Sequence, residues 1–469
     1  MIPLTLGEVA AAVHGRLVEA PDPSTRVTGS VEFDSRRIVT GGLFVALPGE
    51  RVDGYAFAPD AVRAGAVAVL AARPVGGPTV LVSDPREAMA LLANAVLARL
   101  PDLTVVGITG SSGKTSTKDL IAQLVERLGP TVAPPGSFNN EIGHPHTVLR
   151  ADEATRYLVL EKSARGIGHI AALCRIATPR VGVVLNVGTA HLGEFGSRAA
   201  VASAKGELVE ALPAADRGGV AILNADDALV RAMAGRTAAR VVTTGVAEPA
   251  DLRAVGVRLD ERGRASYTLV TNGGRAEVRL GLHGEHHVPN SLAAAAVALE
   301  LGMPLPAVAS ALGQARPRSP RRMEVRDRAD GLIVINDSYN ANPESTGAAL
   351  RALTTMARGR RSWAVLGPMA ELGAESDAAH ERIGRLAARL GVGRLVAVGA
   401  EAAHMHAGFV AERSGGKESV HVPDVESAIA LLGQEVRSTD VVLVKASQVA
   451  ALWRVADVLL ETGPARETV

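Results

Sequence analysis

Between Leu103 and Thr115 the chain reads LTVVGITGSSGKT, and no other stretch restricts the possible folds as much. A β-branched apolar run that passes through glycines into Gly-Lys-Thr is a strand, a tight loop and a helix, in that order. The helix continues to about Leu128. Backbone N–H groups at such a helix start lack an intrahelical acceptor, so the loop is suited to an anion and above all to phosphate. Thr109, Gly110, Ser111, Ser112, Gly113, Lys114, Thr115 and Ser116 are the expected contacts to the phosphates of a nucleotide. Lys114 would reach the outer phosphates and the Thr115 hydroxyl would meet magnesium. The strict P-loop spelling is not met, because Ile108 stands where its first glycine belongs.

A strand of this kind is covered on both faces, and the rest of the chain supplies what covers it. YLVLE (Tyr157 to Glu161), VGVVLNV (Val181 to Val187) and VAILN (Val220 to Asn224) predict a mainly parallel central sheet with helical spacers. Before them, LFVALPG, AVAVLAA and TVLVSD alternate with an Ala-rich helical stretch, which predicts a small α/β domain. After them, QARPRSPRRMEV (Gln314 to Val325) reads as a linker, since proline suits neither a helix interior nor a sheet ladder. LIVIND, WAVLG, LVAVG and VVLVKAS then recur between helices as a second, Rossmann-like α/β unit, with ligands expected at the carboxyl ends of its strands. The expected class is therefore α/β in three domains, at roughly 1–85, 86–315 and 316–469.

Composition removes several alternatives. Fifty basic residues against forty-nine acidic ones leave a net charge of +1, so no global field draws nucleic acid or an anionic membrane. Cys174 is the only cysteine, which excludes an intrachain disulfide and a cysteine-rich zinc site and fits a reducing compartment. The opening MIPLTLGEVAAAVHGRL lacks the charged front end of an export signal. Ser291 to Leu312 imitates a membrane span, but Glu300, Pro304 and Pro306 argue against one. A cytoplasmic location without a membrane span is expected.

Three residues near other strand ends complete the constellation. Glu161 closes YLVLE, where a carboxylate can hold a hard cation through oxygen. His191 follows VGVVLNVGTAHL, and Lys205 lies on the helical stretch VASAKGELVEAL. Taken singly, each reads better as a solvated, capping or surface side chain. Only together do they suggest a site.

The stretches DSRRIVTGGLFVALPG, TGSSGKTSTKDL, GSFNNEIGHPHT, ARGIGHIAALCRIATPRVGVVLNVGTAHLGEFGS, RRMEV, INDSYNANPES and LGPMAELG span most of the chain and resemble the Mur ligase family. DSYNANPES (Asp337 to Ser345) looks like the stretch found in the branch that joins D-alanyl-D-alanine to UDP-N-acetylmuramoyl-tripeptide. The resemblance implies ATP as co-substrate, two Mg²⁺ ions, and a UDP-sugar site in the N-terminal domain at Ser35 and Arg36. It implies that Glu161 and His191 serve the metal, and that Lys205 is carbamylated and becomes an oxygen donor to magnesium. Lys114, Lys205 and His191 are the implied catalytic residues. Asn290, Arg322 and Asp337 are implied on the ATP side, and Asn139, Asn140, Arg165, Asn340 and Asn342 on the substrate side. The implied reaction forms an acyl phosphate, which the dipeptide amine then attacks, in a monomer whose C-terminal domain closes on a hinge at Pro317 to Arg322.

Some positions depart from the commonest family spelling. Lys162 and Ser163 follow Glu161 where a small apolar pair is usual, and GHPHT brings His144 and His146 in place of apolar residues. Lys162 either pairs with phosphate or points away, and the two histidines are expected as substrate-side variation, not as a metal site. His287 replaces the usual Asn, Pro368 a common Asp, and KAS at Lys445 the more frequent KGS.

Overall fold

The strand Thr104–Thr109 lies inside a nine-stranded sheet, flanked by Tyr157–Glu161 on one side and Val181–Val184 on the other. The computed structural model describes residues 1–20, 22–49, 53–189, 192–412 and 416–461. From Thr131–Val132 across to Leu252–Leu259 neighbouring strands run parallel, as the continuous apolar runs predict. Arg264–Thr271 and Gly274–His283 then extend the sheet as an antiparallel meander. Their burial alternates along the strand, the period-two pattern of a half-covered sheet.

The chain leaves Thr104–Thr109 toward one side of the sheet and later returns to the other, so the strand order reverses at its carboxyl end. A crevice opens at such a reversal, and it places the ends of three strands around one point. Helices Lys114–Val125 and His287–Glu300 cover this face, and the second is buried nearly all round. That burial explains its alanine-rich, membrane-like composition. The helix stops at Glu300 and Leu305–Gln314 forms a separate helix, and no helix among the described residues is long and apolar enough to cross a membrane.

The N-terminal unit has a five-stranded sheet, parallel except at Arg16–Val18. Helix Pro85–Leu97, with Asp84 capping Arg86 N and Pro85 in the first turn, packs Met89 and Leu92 into its core. That core is continuous with Val105, Leu158 and Leu160 of the central sheet, so the first two units share one apolar cluster.

The C-terminal unit is a six-stranded sheet with Glu324–Asp327 antiparallel at its edge and the other five strands parallel. Ile333–Asn336, Val441–Lys445 and Ser362–Leu366 lie side by side, which brings Asp337, Lys445 and Pro368 together at one end.

Candidate active site

The phosphate loop is held from two sides. Gly113 adopts φ +81° as the cap of helix Lys114–Val125, and a Cβ there would lie 2.6 Å from Asn290 Oδ1. Both left-handed backbone and lack of space therefore require glycine. Opposite, Asn186 Oδ1 accepts from Ser111 N at 3.0 Å and Ser112 N at 2.9 Å, while its Nδ2 donates to Ser112 O at 3.2 Å. The first-turn N–H groups of Lys114, Thr115 and Ser116 remain without an intrahelical acceptor and form the anion site. Lys114 Nζ donates to Gly110 O at 2.6 Å, folded over the loop. Desolvation lowers its pKa to about 8, the Glu161 carboxylate opposing the shift and Arg322 adding to it.

Glu161 is fully buried, and Thr115 Oγ1, Ser137 Oγ and Asn139 Nδ2 all donate to its Oε2 at 3.2–3.3 Å. Its Oε1 has no partner among the described residues. A buried carboxylate with one open oxygen beside a phosphate loop fits a hard cation that completes its shell with phosphate and water. Among the described residues there is no group of three or more His, Cys, Asp or Glu that could hold a metal without such help. Lys205 is almost fully buried on helix Arg198–Glu210. Desolvation and then the charge of Lys114 push its pKa well below the ordinary lysine value. His191 lies outside the described residues.

The C-terminal unit reaches this point through charged groups. Arg322 Nη2 donates to Thr115 Oγ1 at 3.3 Å and its guanidinium lies 4.1 Å over the Tyr339 ring. Lys445 Nζ pairs with Asp337 Oδ2 at 2.6 Å and donates to Asn340 O at 2.8 Å, while Asp337 Oδ1 accepts from Met323 N at 3.0 Å. Two cavities meet at the loop. One of 200 Å³ is lined by Gly113, Asn186, Asn290, Asp337 and Lys445. The other, of 670 Å³, runs from Lys114 past Asn139, Asn140 and Arg165 to Asn340 and Asn342. A groove of 1580 Å³ beside the meander is larger but holds none of these groups, so it is not this site.

Most of the expected residues line these two cavities, whereas Glu161 and Lys205 are buried and line neither, and Ser35 and Arg36 stand apart. Asn140 lines the cleft yet spends its Oδ1 on Gly143 N at 2.9 Å, starting a short helix. Asn342 caps helix Pro343–Met356 with Ser345 as its reciprocal partner. Ser35 and Arg36 form a turn in which Asp34 caps Arg36 N and holds its guanidinium at 2.7–2.9 Å. Just before that turn, Glu32 meets His146 and Phe33 packs against Phe138 and His146.

His144 and His146 require a correction. Neither lines the cleft: both are fully buried on helix Gly143–Val148, His144 on Lys162 and His146 on Glu32 Oε2 at 3.1 Å. Consecutive strand residues face opposite sides, so Lys162 points away from the phosphate site that Glu161 faces. The His286 and His287 rings lie 4.3 Å apart, centre to centre, and are tilted by 40°. His286 lines the smaller cavity and His287 lies behind it. Pro368 contributes its carbonyl to Ser447 N at 2.9 Å.

The chain matches three family models in succession: "Mur ligase family, catalytic domain" over residues 28–102, "Mur ligase middle domain" over 108–298, and "Mur ligase, glutamate ligase domain" over 321–448. The chain belongs to the Mur ligase family. This Mur ligase is 51% identical to the UDP-N-acetylmuramoyl-tripeptide--D-alanyl-D-alanine ligase of Mycobacterium leprae, over 99% of this chain and all of that relative. A crystal structure of MurF from Acinetobacter baumannii superposes with a TM-score of 0.87 at 30% identity, covering 98% of this chain and 99% of the other. MurF from Thermotoga maritima in complex with ADP gives 0.79 at 30% identity, over 93% and 98%.

Three contacts of the Mur ligase site escaped the sequence reading. Asn186 follows a strand end just as Glu161 closes one, and that shared position was the available signal. Ser137 carried none. Glu344 accepts from Thr189 N at 2.8 Å and Thr189 Oγ1 at 3.0 Å across the unit boundary, and only the folded chain brings them together.

Proposed function

We propose that this chain joins D-alanyl-D-alanine to UDP-N-acetylmuramoyl-tripeptide with ATP, as a cytoplasmic monomer making a peptidoglycan precursor. The observation that carries the reading is the 670 Å³ cleft, which runs unbroken from the phosphate loop to the ends of the C-terminal strands. Acid, nucleotide and amine can meet there. The full-length likeness to a ligase of that name supports the choice of substrates.

Lys114 and the helix-start N–H groups hold the γ-phosphate while the tripeptide carboxylate attacks phosphorus, and the bond to the β-phosphate oxygen breaks to release ADP. The amine of D-alanyl-D-alanine then adds to the acyl carbon, and phosphate and a proton leave as the amide forms. Arg322, drawn over the loop, balances phosphate charge and helps exclude water that would hydrolyse the acyl phosphate. Glu161 and Thr115 would hold magnesium, with His191 the further ligand expected from sequence, and the ion would supply positive charge to the phosphate oxygens. Burial and then the charge of Lys114 lower the Lys205 pKa, which favours the free amine that carbamylation needs, and the carbamate would bring an anionic oxygen donor for a second Mg²⁺. Ser35 and Arg36 take the UDP-sugar, and Asn139, Asn140, Arg165, Asn340 and Asn342 line the path of the peptide. With domains near the expected 1–85, 86–315 and 316–469, but the first extended to keep helix Pro85–Leu97 whole, the three substrates would meet at the domain junctions.

Purified protein given ATP, Mg²⁺, UDP-N-acetylmuramoyl-tripeptide and D-alanyl-D-alanine should release phosphate only when acid and amine are both present, with the pentapeptide product visible by mass. Phosphate release without either substrate would point to a nucleotide switch, and absence of the pentapeptide would overturn the proposal.

A further inference from the structure

The two departures at Lys162 and His144 form one buried feature. Lys162 Nζ lies 2.8 Å from His144 Nε2, 3.0 Å from Leu173 O and 3.1 Å from Ala177 O. Three acceptors match the three donors of an ammonium, and two of them are carbonyls at the end of helix His169–Ile176. Room for the stem comes from Gly107, where a Cβ would stand 3.1 Å from Lys162 Cε. Both side chains are fully shielded from solvent, so neither binds substrate.

Lys162 and His144 nevertheless close a ring around the metal carboxylate. Along one arm, Lys162 is bonded directly to Glu161, and its own N–H continues the strand ladder to Ile108 O at 2.8 Å. Along the other, helix Gly143–Val148 starts on Asn140, whose backbone O accepts from His144 N at 2.9 Å. The preceding residues Ser137 and Asn139 donate to Glu161 Oε2. Ser163 grips the same Asn139 from the Lys162 side, its Oγ 3.0 Å from both Asn139 O and Oδ1. We infer that the Lys162–His144 contact is a positioning brace, which keeps Ser137 and Asn139 on one oxygen of Glu161 and leaves the other facing a cation.

The inference rests on the proposed magnesium role of Glu161, and its test does not depend on amide formation. Lys162→Met, His144→Val, the double variant and His144→Gln are compared with the parent chain. For each, Mg²⁺-dependent ADP binding is measured by calorimetry together with Tm, and kcat with the Mg²⁺ requirement where turnover is present. Each apolar single variant should raise the half-saturating Mg²⁺ by about ten-fold or more at temperatures well below its Tm, as loss of a partner behind a metal ligand does. The double variant should be no worse than the poorer single, because the two side chains act as one unit. His144→Gln, which keeps an acceptor for Lys162, should stay near the parent value and carries the test if an apolar variant fails to fold. A fall in Tm with an unchanged Mg²⁺ requirement, or additive effects in the double variant, would overturn the brace. Failure of the proposed reaction would instead appear as a parent chain that binds ADP and Mg²⁺ but makes no amide.

Discussion

Lys114, Thr115 and Glu161 were legible in the sequence because each stands at a strand or helix end, where the pattern of the element fixes its position. Asn186 was not, since its hold on Ser111 joins residues 75 apart in the chain. Lys114→Ala removes the cation proposed to face the γ-phosphate, and kcat for phosphate release should fall about 100- to 1000-fold, as on removing one charge-stabilising group. Lys205→Ala should also lose turnover, and short carboxylates such as acetate should restore part of it by supplying the missing oxygen donor. Unchanged activity in Lys205→Ala would exclude the carbamate.

Among elements, the phosphate loop depends on two asparagines that sit on neither its strand nor its helix. Asn186→Ala frees the N–H groups of Ser111 and Ser112 and loosens the loop, so KM for ATP should rise while the KM values of the other substrates stay near their starting values. Helices Gly143–Val148 and His287–Glu300 carry histidines inside the protein, and burial is the main reason that His144 and His287 fall well below the usual imidazole pKa and His286 falls to about 4. As neutral imidazoles these side chains bury no charge at pH 7, but an unfolded chain takes up protons near pH 6.5 that the folded chain refuses. Stability should therefore be full above about pH 6.5 and decline as the pH falls toward 4, where folded His286 also protonates. Calorimetric Tm between pH 7.5 and 5 measures this, and His287→Asn should flatten the acid side.

Across the whole molecule, the linker is less free than its prolines and arginines suggested. Arg316 N donates to Gln123 Oε1 at 3.0 Å, Arg318 pairs with Glu126 at 2.6 Å, and Ser319 N donates to Asp119 Oδ2 at 3.0 Å, stitching the segment to helix Lys114–Val125. Arg321 and Met323 then take φ values of +61° and +48°, a left-handed backbone on both sides of Arg322. If the C-terminal unit swivels, these contacts leave residues 320–323 to turn, which overlap the end of the hinge expected at Pro317 to Arg322 and pass one residue beyond it. X-ray scattering with an ATP analogue and UDP-N-acetylmuramoyl-tripeptide should show a smaller radius of gyration than the free protein, and superimposable profiles would refute closure. The contacts of Arg322 with Thr115 and of Glu344 with Thr189 are those expected to persist in the closed state.

By itself the sequence determined the α/β class, the strand, loop and helix that grip phosphate, and the carboxylate at the neighbouring strand end. These depend on local periodicity and on residues adjacent in the chain. The tertiary structure decided what lies around TGSSGKT: Asn186 and Asn290 on its flanks, Arg322 from across the linker, and the open oxygen of Glu161. It also turned Lys162 and His144 from two unexplained spellings into one buried contact. Such contacts are set by how sheets and helices pack, and a buried polar side chain shows its role only when its partner, distant in sequence, is in place.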